Sequence, residues 1–221
     1  MRTGDAFVVA ILGAESSGKT QLARTLAERL REAGQDAQWV PEVLREFCDR
    51  HGRTPRLDEQ AAIAAEQTRR IDAAAQRHAV VVADTTALMT AVYSEIVFGD
   101  PSVYPFAQDA QRRCDLTLLM ALDLPWEADG LQRDGAHVRE PVDALVRAAL
   151  ARVEQPFVVV CGMGEARLQS AWRALRPALA LPAFAANDDD DGATATWHLR
   201  CERCGDVGCE RHQLLPRPAA D

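Results

Sequence analysis

An eight-residue run near the start of the chain constrains the fold more than any other feature. Residues 13–20 read Gly-Ala-Glu-Ser-Ser-Gly-Lys-Thr and match the pattern G-x-x-x-x-G-K-[ST]. The apolar run 6–12 precedes it, and Leu22, Leu26 and Leu30 follow at helical spacing. A glycine-rich turn between a strand and a helix is the setting in which this pattern binds phosphate. The sequence therefore predicts a P-loop between a buried strand and a helix.

The residue types of this loop suit a nucleotide triphosphate. Glycines let backbone amides face phosphate oxygens, and the helix N-terminus adds partial positive charge. Lys19, the only lysine in the chain, is expected to reach the β- and γ-phosphates of ATP, and Thr20 to ligate Mg²⁺. GTPases that read guanine through Asn-Lys-x-Asp are excluded, because that motif needs a second lysine. The residues expected to contact the nucleotide are Gly13, Glu15, Ser16, Ser17, Gly18, Lys19 and Thr20.

Apolar runs alternate with helical stretches along the chain, as in a parallel sheet covered by helices on both faces. The predicted strands are 6–12, 37–40, 79–83, 116–122 and 157–161. The predicted helices are 22–34, 58–77, 86–96, 104–113, 141–154 and 165–179. The fold class is therefore α/β, a three-layer P-loop NTPase fold with a parallel sheet of about five strands, over residues 1–181.

Length, charge and cysteine placement limit the function. A chain of 221 residues holds one domain and a small appendage. The net charge of −8 argues against a surface that clamps nucleic acid, and no apolar stretch approaches the roughly 20 residues of a membrane span. We expect a cytoplasmic protein that does not bind membranes, with Cys48, Cys114 and Cys161 reduced and buried.

A carboxylate that could hold Mg²⁺ follows the apolar run 80–83. Asp84 ends this predicted strand, where parallel strands of P-loop proteins present the acidic metal ligand. The alternative is that Asp84 caps the following helix.

Further motifs between residue 10 and about residue 175 carry a family resemblance. They are Ala14-Glu15-Ser16-Ser17-Gly18-Lys19, Glu42-Val43-Leu44-Arg45-Glu46, Asp84-Thr85 with Leu88 and Thr90, Tyr93, Phe98-Gly99, and Asp123-Leu124-Pro125-Trp126-Glu127-Ala128-Asp129-Gly130-Leu131. Together they resemble the ribosylnicotinamide kinase domain of the NadR-like family of AAA-type, ATP-binding P-loop proteins, which is similar in turn to deoxynucleoside kinases. The resemblance implies an ATP-dependent kinase that phosphorylates a ribose hydroxyl of nicotinamide riboside, or of a related nucleoside, in NAD salvage.

The chain also departs from this family. Bifunctional members carry a nucleotidyltransferase domain before the kinase, whereas this chain starts at the first kinase strand, so we expect no adenylyl transfer. The family places arginine directly after the position of Leu131, whereas here Gln132 precedes Arg133. Residues 134–139, in the predicted lid, also differ from the family's sequence. The acceptor is therefore less securely indicated than phosphoryl transfer itself.

Phosphoryl transfer needs an oriented hydroxyl, a nearby carboxylate and cationic groups around the γ-phosphate. Glu42 follows a strand expected to lie next to the P-loop strand, so we expect it to act as the base, with Arg45 one helical turn away in the substrate site. The alternatives are a surface ion pair for Glu42, and Glu46 as the base. Arg133 and Arg139 flank a predicted lid and are candidate catalytic cations; the alternative is solvated surface arginines.

Four more residues are candidates for substrate binding. Tyr93 and Trp126 can stack on an aromatic base or belong to the core. Asp123 and Asp129 can contact ribose hydroxyls or cap turns. The segment 162–164 is predicted to form the turn beneath the adenine ring.

The end of the chain has a separate character. Residues 182–196, with four consecutive aspartates at 188–191, form an acidic flexible linker, and residues 197–215 form a small cysteine-rich tail resembling a zinc knuckle. Three thiolates and an imidazole within 12 residues suit tetrahedral Zn²⁺; the ligands are Cys201, Cys204, Cys209 and His212. Free thiols in a frayed tail, or a redox pair, are the alternatives.

The tail also allows a function other than catalysis. The chain could be an ATP-binding regulatory switch whose zinc tail docks a protein partner, or a kinase of the same fold that acts on another nucleoside or metabolite. A kinase consumes ATP only with its acceptor, whereas a switch hydrolyses ATP slowly alone.

Overall fold

The computed structural model describes residues 6–126 and 136–184 of the 221-residue chain. By its internal contacts the chain divides into two units, Met1–Pro182 and Ala183–Asp221, and the fold below is that of the first. Its strands are β1 (Phe7–Leu12), β2 (Ala37–Val40), β3 (Val80–Asp84), β4 (Leu116–Met120) and β5 (Phe157–Val160). Its helices are α1 (Lys19–Glu32), α2 (Val43–His51), α3 (Leu57–Ala75), α4 (Ala87–Phe98), α5 (Tyr104–Gln111), α6 (Arg139–Arg152) and α7 (Glu165–Leu179). The zinc-tail prediction, and the predicted linker from residue 185 onward, lie outside the described residues.

The five strands form one parallel sheet in the order β2-β3-β1-β4-β5. The predicted α/β fold and five-stranded sheet are confirmed. Strand β1 is central, and its residues from Val8 onward are buried, because helices cover both faces of the sheet. One expectation is wrong: β2 does not adjoin the P-loop strand, since β3 lies between them. The order of parallel strands depends on how each crossover helix packs, and the strand sequences do not state it.

Helix α1 shows why its sequence is helical. Leu22, Leu26 and Leu30 form a stripe that is at most 3% exposed, on the side that packs against β2 and β3. Burying one such leucine contributes about 1.5–3 kcal/mol. Polar residues occupy the opposite face, so the helix is positioned by its apolar side and carries the P-loop at its N-terminus.

Two helices differ from the apolar pattern. Helix α2 was not among the predicted helices, because only Val43 and Cys48 of its nine residues are buried. Helix α6 begins at Arg139 rather than at Pro141, because proline in the first turn lacks only an amide that would have no partner there.

The cysteines of the described residues are free thiols. Cys48 and Cys114 are buried as predicted, and burial raises the pKa of Cys114 to about 12. The prediction of a buried Cys161 is wrong: it is exposed, because it follows the edge strand β5, which packs on one neighbour only. None of the described helices combines the length and apolar character that crossing a bilayer requires.

Candidate nucleotide-binding site

The loop between β1 and α1 has the geometry of a phosphate-binding turn. Gly13 adopts φ +151°, and a Cβ there would lie 2.8 Å from the Met120 Cβ on β4, so only glycine fits. Gly18 is left-handed at φ +78° and caps α1. Ser17 Oγ and Lys19 Nζ both donate to the Ala14 carbonyl, at 2.7 and 2.8 Å. These bonds close the loop around the N-terminus of α1, where backbone amides are available to an anion.

A cavity of about 810 Å³ opens beside this turn. Its wall contains six consecutive residues of the loop and helix start, 16–21, together with Arg24, Arg45 and a strip from the loops after β4 and β5. The strip consists of Leu124, Pro125 and Met163. Polar loop atoms on one side and apolar side chains on the other suit a ligand with a phosphate chain and a flat ring. Met163 stands in the turn predicted to lie beneath the adenine ring.

Asp84 stands beside the loop as predicted. It ends β3 in register with Ile11 of β1, and Thr85 after it turns the chain at φ +70°. Its side chain is 1% exposed, and neither carboxylate oxygen has a hydrogen bond of good geometry within the described part of the chain. Burial raises the pKa of Asp84, while the nearby hydroxyl of Thr20 and the cations of Lys19 and Arg45 oppose the rise.

Mg²⁺ fits this arrangement. A buried carboxylate without a full set of hydrogen bonds, beside a hydroxyl at a phosphate loop, provides the oxygen ligands that the ion takes. Asp84 and Thr20 are the two predicted magnesium ligands, and the structure brings them together.

A second, smaller cavity of about 140 Å³ also adjoins the loop. Three residues predicted for the substrate site, Glu42, Arg45 and Tyr93, line it, and Glu15, Ser16 and Lys19 form its boundary with the P-loop. The remaining wall residues are Leu44, Cys48, Thr54, Pro55, Gln60, Val97 and Phe98. Ser16, Lys19 and Arg45 line both cavities, so the two cavities adjoin at the P-loop.

The two candidate bases occupy different environments. Glu42 is the N-cap residue of α2, is 8% exposed, and lies 3.8 Å from the Nε of Arg45. Glu46 forms an ion pair with Arg70 on α3 at 2.7 Å and is not among the residues that line the second cavity. The ion pair predicted as an alternative for Glu42 therefore exists, but it lies in the wall of the cavity. The geometry favours Glu42.

Other predicted residues lie away from the cavities or outside the described residues. Asp123 forms an ion pair with Arg167 and accepts a hydrogen bond from the Gly162 amide at 2.6 Å. Trp126 lines neither cavity, and its indole N–H is buried. Arg139 is 8% exposed and donates to the Leu124 carbonyl at 2.8 Å. Arg133, Asp129, Cys201, Cys204, Cys209 and His212 lie outside the described residues.

Sequence reasoning missed Arg167. This residue on α7 is 4% exposed, donates to the carbonyls of Ser17 and Gly162, and forms the ion pair with Asp123. It therefore ties the P-loop to the turn after β5. A signal existed: Arg167, Ala171 and Leu175 recur every four residues, which places the arginine in the buried stripe of the helix.

The parallel sheet, the glycine-rich loop at its central strand and the adjacent Asp84 define a nucleotide-binding P-loop protein. The model of a family described as AAA domain matches residues 8–167, and the chain belongs to that family. No curated protein sequence matches the chain significantly.

Solved structures share the fold. A NadR protein crystallised with NAD and AMP-PNP superimposes with a TM-score of 0.62 at 21% identity, over 78% of this chain and 49% of the other. NadR protein in complex with NR gives 0.61, also at 21% identity, over 78% of this chain and 50% of the other. Deoxyadenosine kinase from M. mycoides, with the products dCMP and dCDP, gives 0.53 at 14% identity, over 77% of this chain and 100% of the other. The chain thus spans about half the length of the NadR proteins it matches.

Proposed function

We propose that this protein is an ATP-dependent kinase that transfers the γ-phosphate of ATP to a ribose hydroxyl of nicotinamide riboside or a related nucleoside. The observation that carries the proposal is the pair of cavities that adjoin at Ser16, Lys19 and Arg45. A kinase must hold a donor and an acceptor on opposite sides of the transferred phosphate, with cations between them. The larger cavity suits the nucleotide, and the smaller suits the acceptor.

On the donor side, amides of residues 13–20 bind the phosphates, and Lys19 contacts the β- and γ-phosphates. Thr20 and Asp84 hold Mg²⁺, which neutralises charge on the phosphate oxygens when bound. Met163 packs on the adenine ring. Arg167 keeps the P-loop and the turn at Gly162 in fixed relation, so that phosphates and ring are bound together.

On the acceptor side, Glu42 orients the ribose hydroxyl and takes its proton. The hydroxyl oxygen forms a bond to the γ-phosphorus while the bond to the β,γ-bridging oxygen breaks, which leaves ADP and the nucleoside monophosphate. Arg45, whose Nε lies 3.8 Å from Glu42, faces the transferred group. Because Glu42 is nearly buried, water has little access to compete with the acceptor.

The remaining predicted residues have roles that follow from position or from the family resemblance. Tyr93 stacks on the acceptor base in the second cavity. The family resemblance assigns Arg133 and Arg139 as lid cations. Arg139 lines neither cavity and donates to the carbonyl of Leu124, a wall residue of the nucleotide cavity, so we assign it the positioning of that segment. Asp123, Trp126 and Asp129 contribute to substrate binding through the segment around Leu124.

The solved relatives support the choice of acceptor class. NadR protein was crystallised with NR, and deoxyadenosine kinase with nucleotide products. Both contain the fold in which the two cavities occur here. A cytoplasmic location is inferred because ATP and reduced thiols are available there.

The decisive experiment measures ADP release from Mg-ATP with a panel of nucleosides that includes nicotinamide riboside. Lys19→Ala serves as the blank, because it removes the P-loop cation. We expect turnover that depends on Lys19 and yields nicotinamide mononucleotide. If ATP binds but no nucleoside is phosphorylated, the kinase assignment is wrong, and an ATP-dependent switch that docks a protein partner replaces it.

We also infer a structural Zn²⁺ site in the tail, at Cys201, Cys204, Cys209 and His212. Their spacing within 12 residues is its support. Metal analysis of protein purified without chelator is expected to give one zinc per chain, and none in a variant with Cys201 and Cys204 replaced by serine. Zinc-free wild-type protein would exclude the site.

A further inference from the structure

The acceptor cavity contains a polar group that the proposed reaction does not use. Gln60 on α3 lines the cavity and is 4% exposed. Its amide oxygen is buried, and within the part of the chain that the structure describes no donor reaches it. Buried amide groups of folded proteins are nearly always hydrogen-bonded, because an unmade bond is costly. An unpaired amide in a cavity wall therefore indicates a ligand that completes it.

Another glutamine on the same helix shows what a structural role looks like. Gln67, two turns further along α3, is 2% exposed. Its oxygen accepts from the Val43 amide at 2.8 Å, and its nitrogen donates to the Pro41 carbonyl at 3.3 Å. Gln67 thus holds the start of α2 and does not line the cavity. Gln60 has the same side chain at the same depth, but lines the cavity.

The rest of the cavity specifies the kind of group that Gln60 meets. Val97, Phe98 and Pro55 provide an apolar wall suited to a flat ring. Two buried carboxylates, Glu15 and Glu42, also line it. The cations of this cavity are those shared with the nucleotide cavity, where phosphate is expected. An anionic substituent on the ring would therefore be repelled by these carboxylates, whereas a neutral amide would not be.

We propose that Gln60 is the specificity-determining residue of the acceptor site and selects nucleosides whose base carries a carboxamide or the equivalent N–H beside a carbonyl. A primary amide offers one acceptor and two donors in a plane, so its complement is another amide. The corresponding carboxylate loses the donor and gains a charge that Glu15 and Glu42 repel. This inference rests on the proposed kinase function.

The test compares two substrates that differ at this group alone, nicotinamide riboside and nicotinic acid riboside. The quantity measured is the ratio of their kcat/KM values, in wild type, Gln60→Leu, Gln60→Glu and the matched control Gln67→Leu. Wild type is expected to favour the amide at least tenfold. Gln60→Leu lowers the ratio, mainly by raising KM for the amide, and the preference that remains is set by Glu15 and Glu42. Gln67→Leu keeps the wild-type ratio whatever its overall rate.

The outcomes separate the specificity inference from the kinase proposal. If wild type phosphorylates nucleosides but Gln60→Leu keeps its ratio, or if turnover is confined to nucleosides without an amide group, the role of Gln60 is refuted and the kinase stands. If wild type phosphorylates no nucleoside, both fail. Should Gln60→Leu melt at a much lower temperature, the near-isosteric Gln60→Glu decides: it must lose efficiency on the amide substrate, and unchanged efficiency overturns the inference.

Discussion

Replacing Asp84 by asparagine is expected to stabilise the protein while abolishing its magnesium site. The carboxylate is 1% exposed, and burial raises its pKa above the ordinary value of 3.8. Asparagine keeps the shape and removes the charge. Lys19, Arg45 and the Thr20 hydroxyl recover part of the desolvation cost of the charge, but the upward direction of the pKa shows that a net cost remains.

The size of the effect follows from the cost of burying an incompletely hydrogen-bonded polar group, about 1–3 kcal/mol. With the opposing cations we expect about 1–2 kcal/mol in the free energy of unfolding, or roughly 2–8 °C in melting temperature for a chain of this size. The raised pKa also fixes how the stability difference between Asp84→Asn and wild type depends on pH. Well below pH 3.8, Asp84 is protonated in both the folded and the unfolded state, and the two proteins differ least. The stability deficit of wild type grows as pH rises above 3.8 and is complete once pH exceeds the raised pKa of the folded protein.

The assay is thermal unfolding from pH 4 to pH 8, with and without Mg-ATP. Mg-ATP should stabilise wild type far more than Asp84→Asn, and the variant should lose roughly two orders of magnitude in kcat. Asp109→Asn, at an exposed ion pair with Arg112, is the control and should melt like wild type. If Asp84→Asn melts at or below the wild-type temperature at pH 7 without Mg-ATP, the reasoning from burial is refuted.

Three other changes test the site. Glu42→Gln should lower kcat by about 10²–10⁴-fold with little change in the nucleoside KM; undiminished turnover excludes Glu42 as the base. Arg167→Met should raise the KM for ATP roughly tenfold, about 1.4 kcal/mol, and leave the nucleoside KM unchanged; an equal rise in both would show general misfolding instead. Gly13→Ala should destabilise by about 1–3 kcal/mol, because its Cβ would lie 2.8 Å from that of Met120. The control is Gly34→Ala, also at positive φ but with no atom within 4 Å of the added Cβ. It should lower the melting temperature less than Gly13→Ala, and equal losses would mean that backbone strain, not the contact with Met120, destabilises both variants.

The P-loop and the sheet were predictable because their signals are local. The motif at residues 13–20 predicts the phosphate-binding turn without reference to the rest of the chain. Strands buried on both faces must be continuous apolar runs. Asp84 was predictable for the same reason, since it directly follows such a run. Helix α2 was not, because a short helix with two buried residues has almost no apolar periodicity.

The acceptor cavity could be predicted only in part. Glu42, Arg45 and Tyr93 are motif residues and do line it. Gln60 and Val97 come from α3 and α4, and nothing in their immediate neighbours in sequence distinguishes them from other helix residues. Asp123, predicted either to contact ribose or to cap a turn, forms an ion pair with Arg167, which is 44 positions away in the chain. Such partners are set by packing over long sequence distances.

The amino-acid sequence by itself determined the chemistry at the phosphate loop and the α/β class, because both depend on residues within one turn or one strand of each other. Only the tertiary structure decided that β3 separates β2 from β1 and that Arg167 reaches Ser17. It also decided that, among the described residues, the amide oxygen of Gln60 has no donor while that of Gln67 is bonded. The physical reason is that burial and hydrogen bonding are properties of surroundings that distant segments build together. The sequence supplies the reactive groups, and tertiary packing decides which of them line the same cavity.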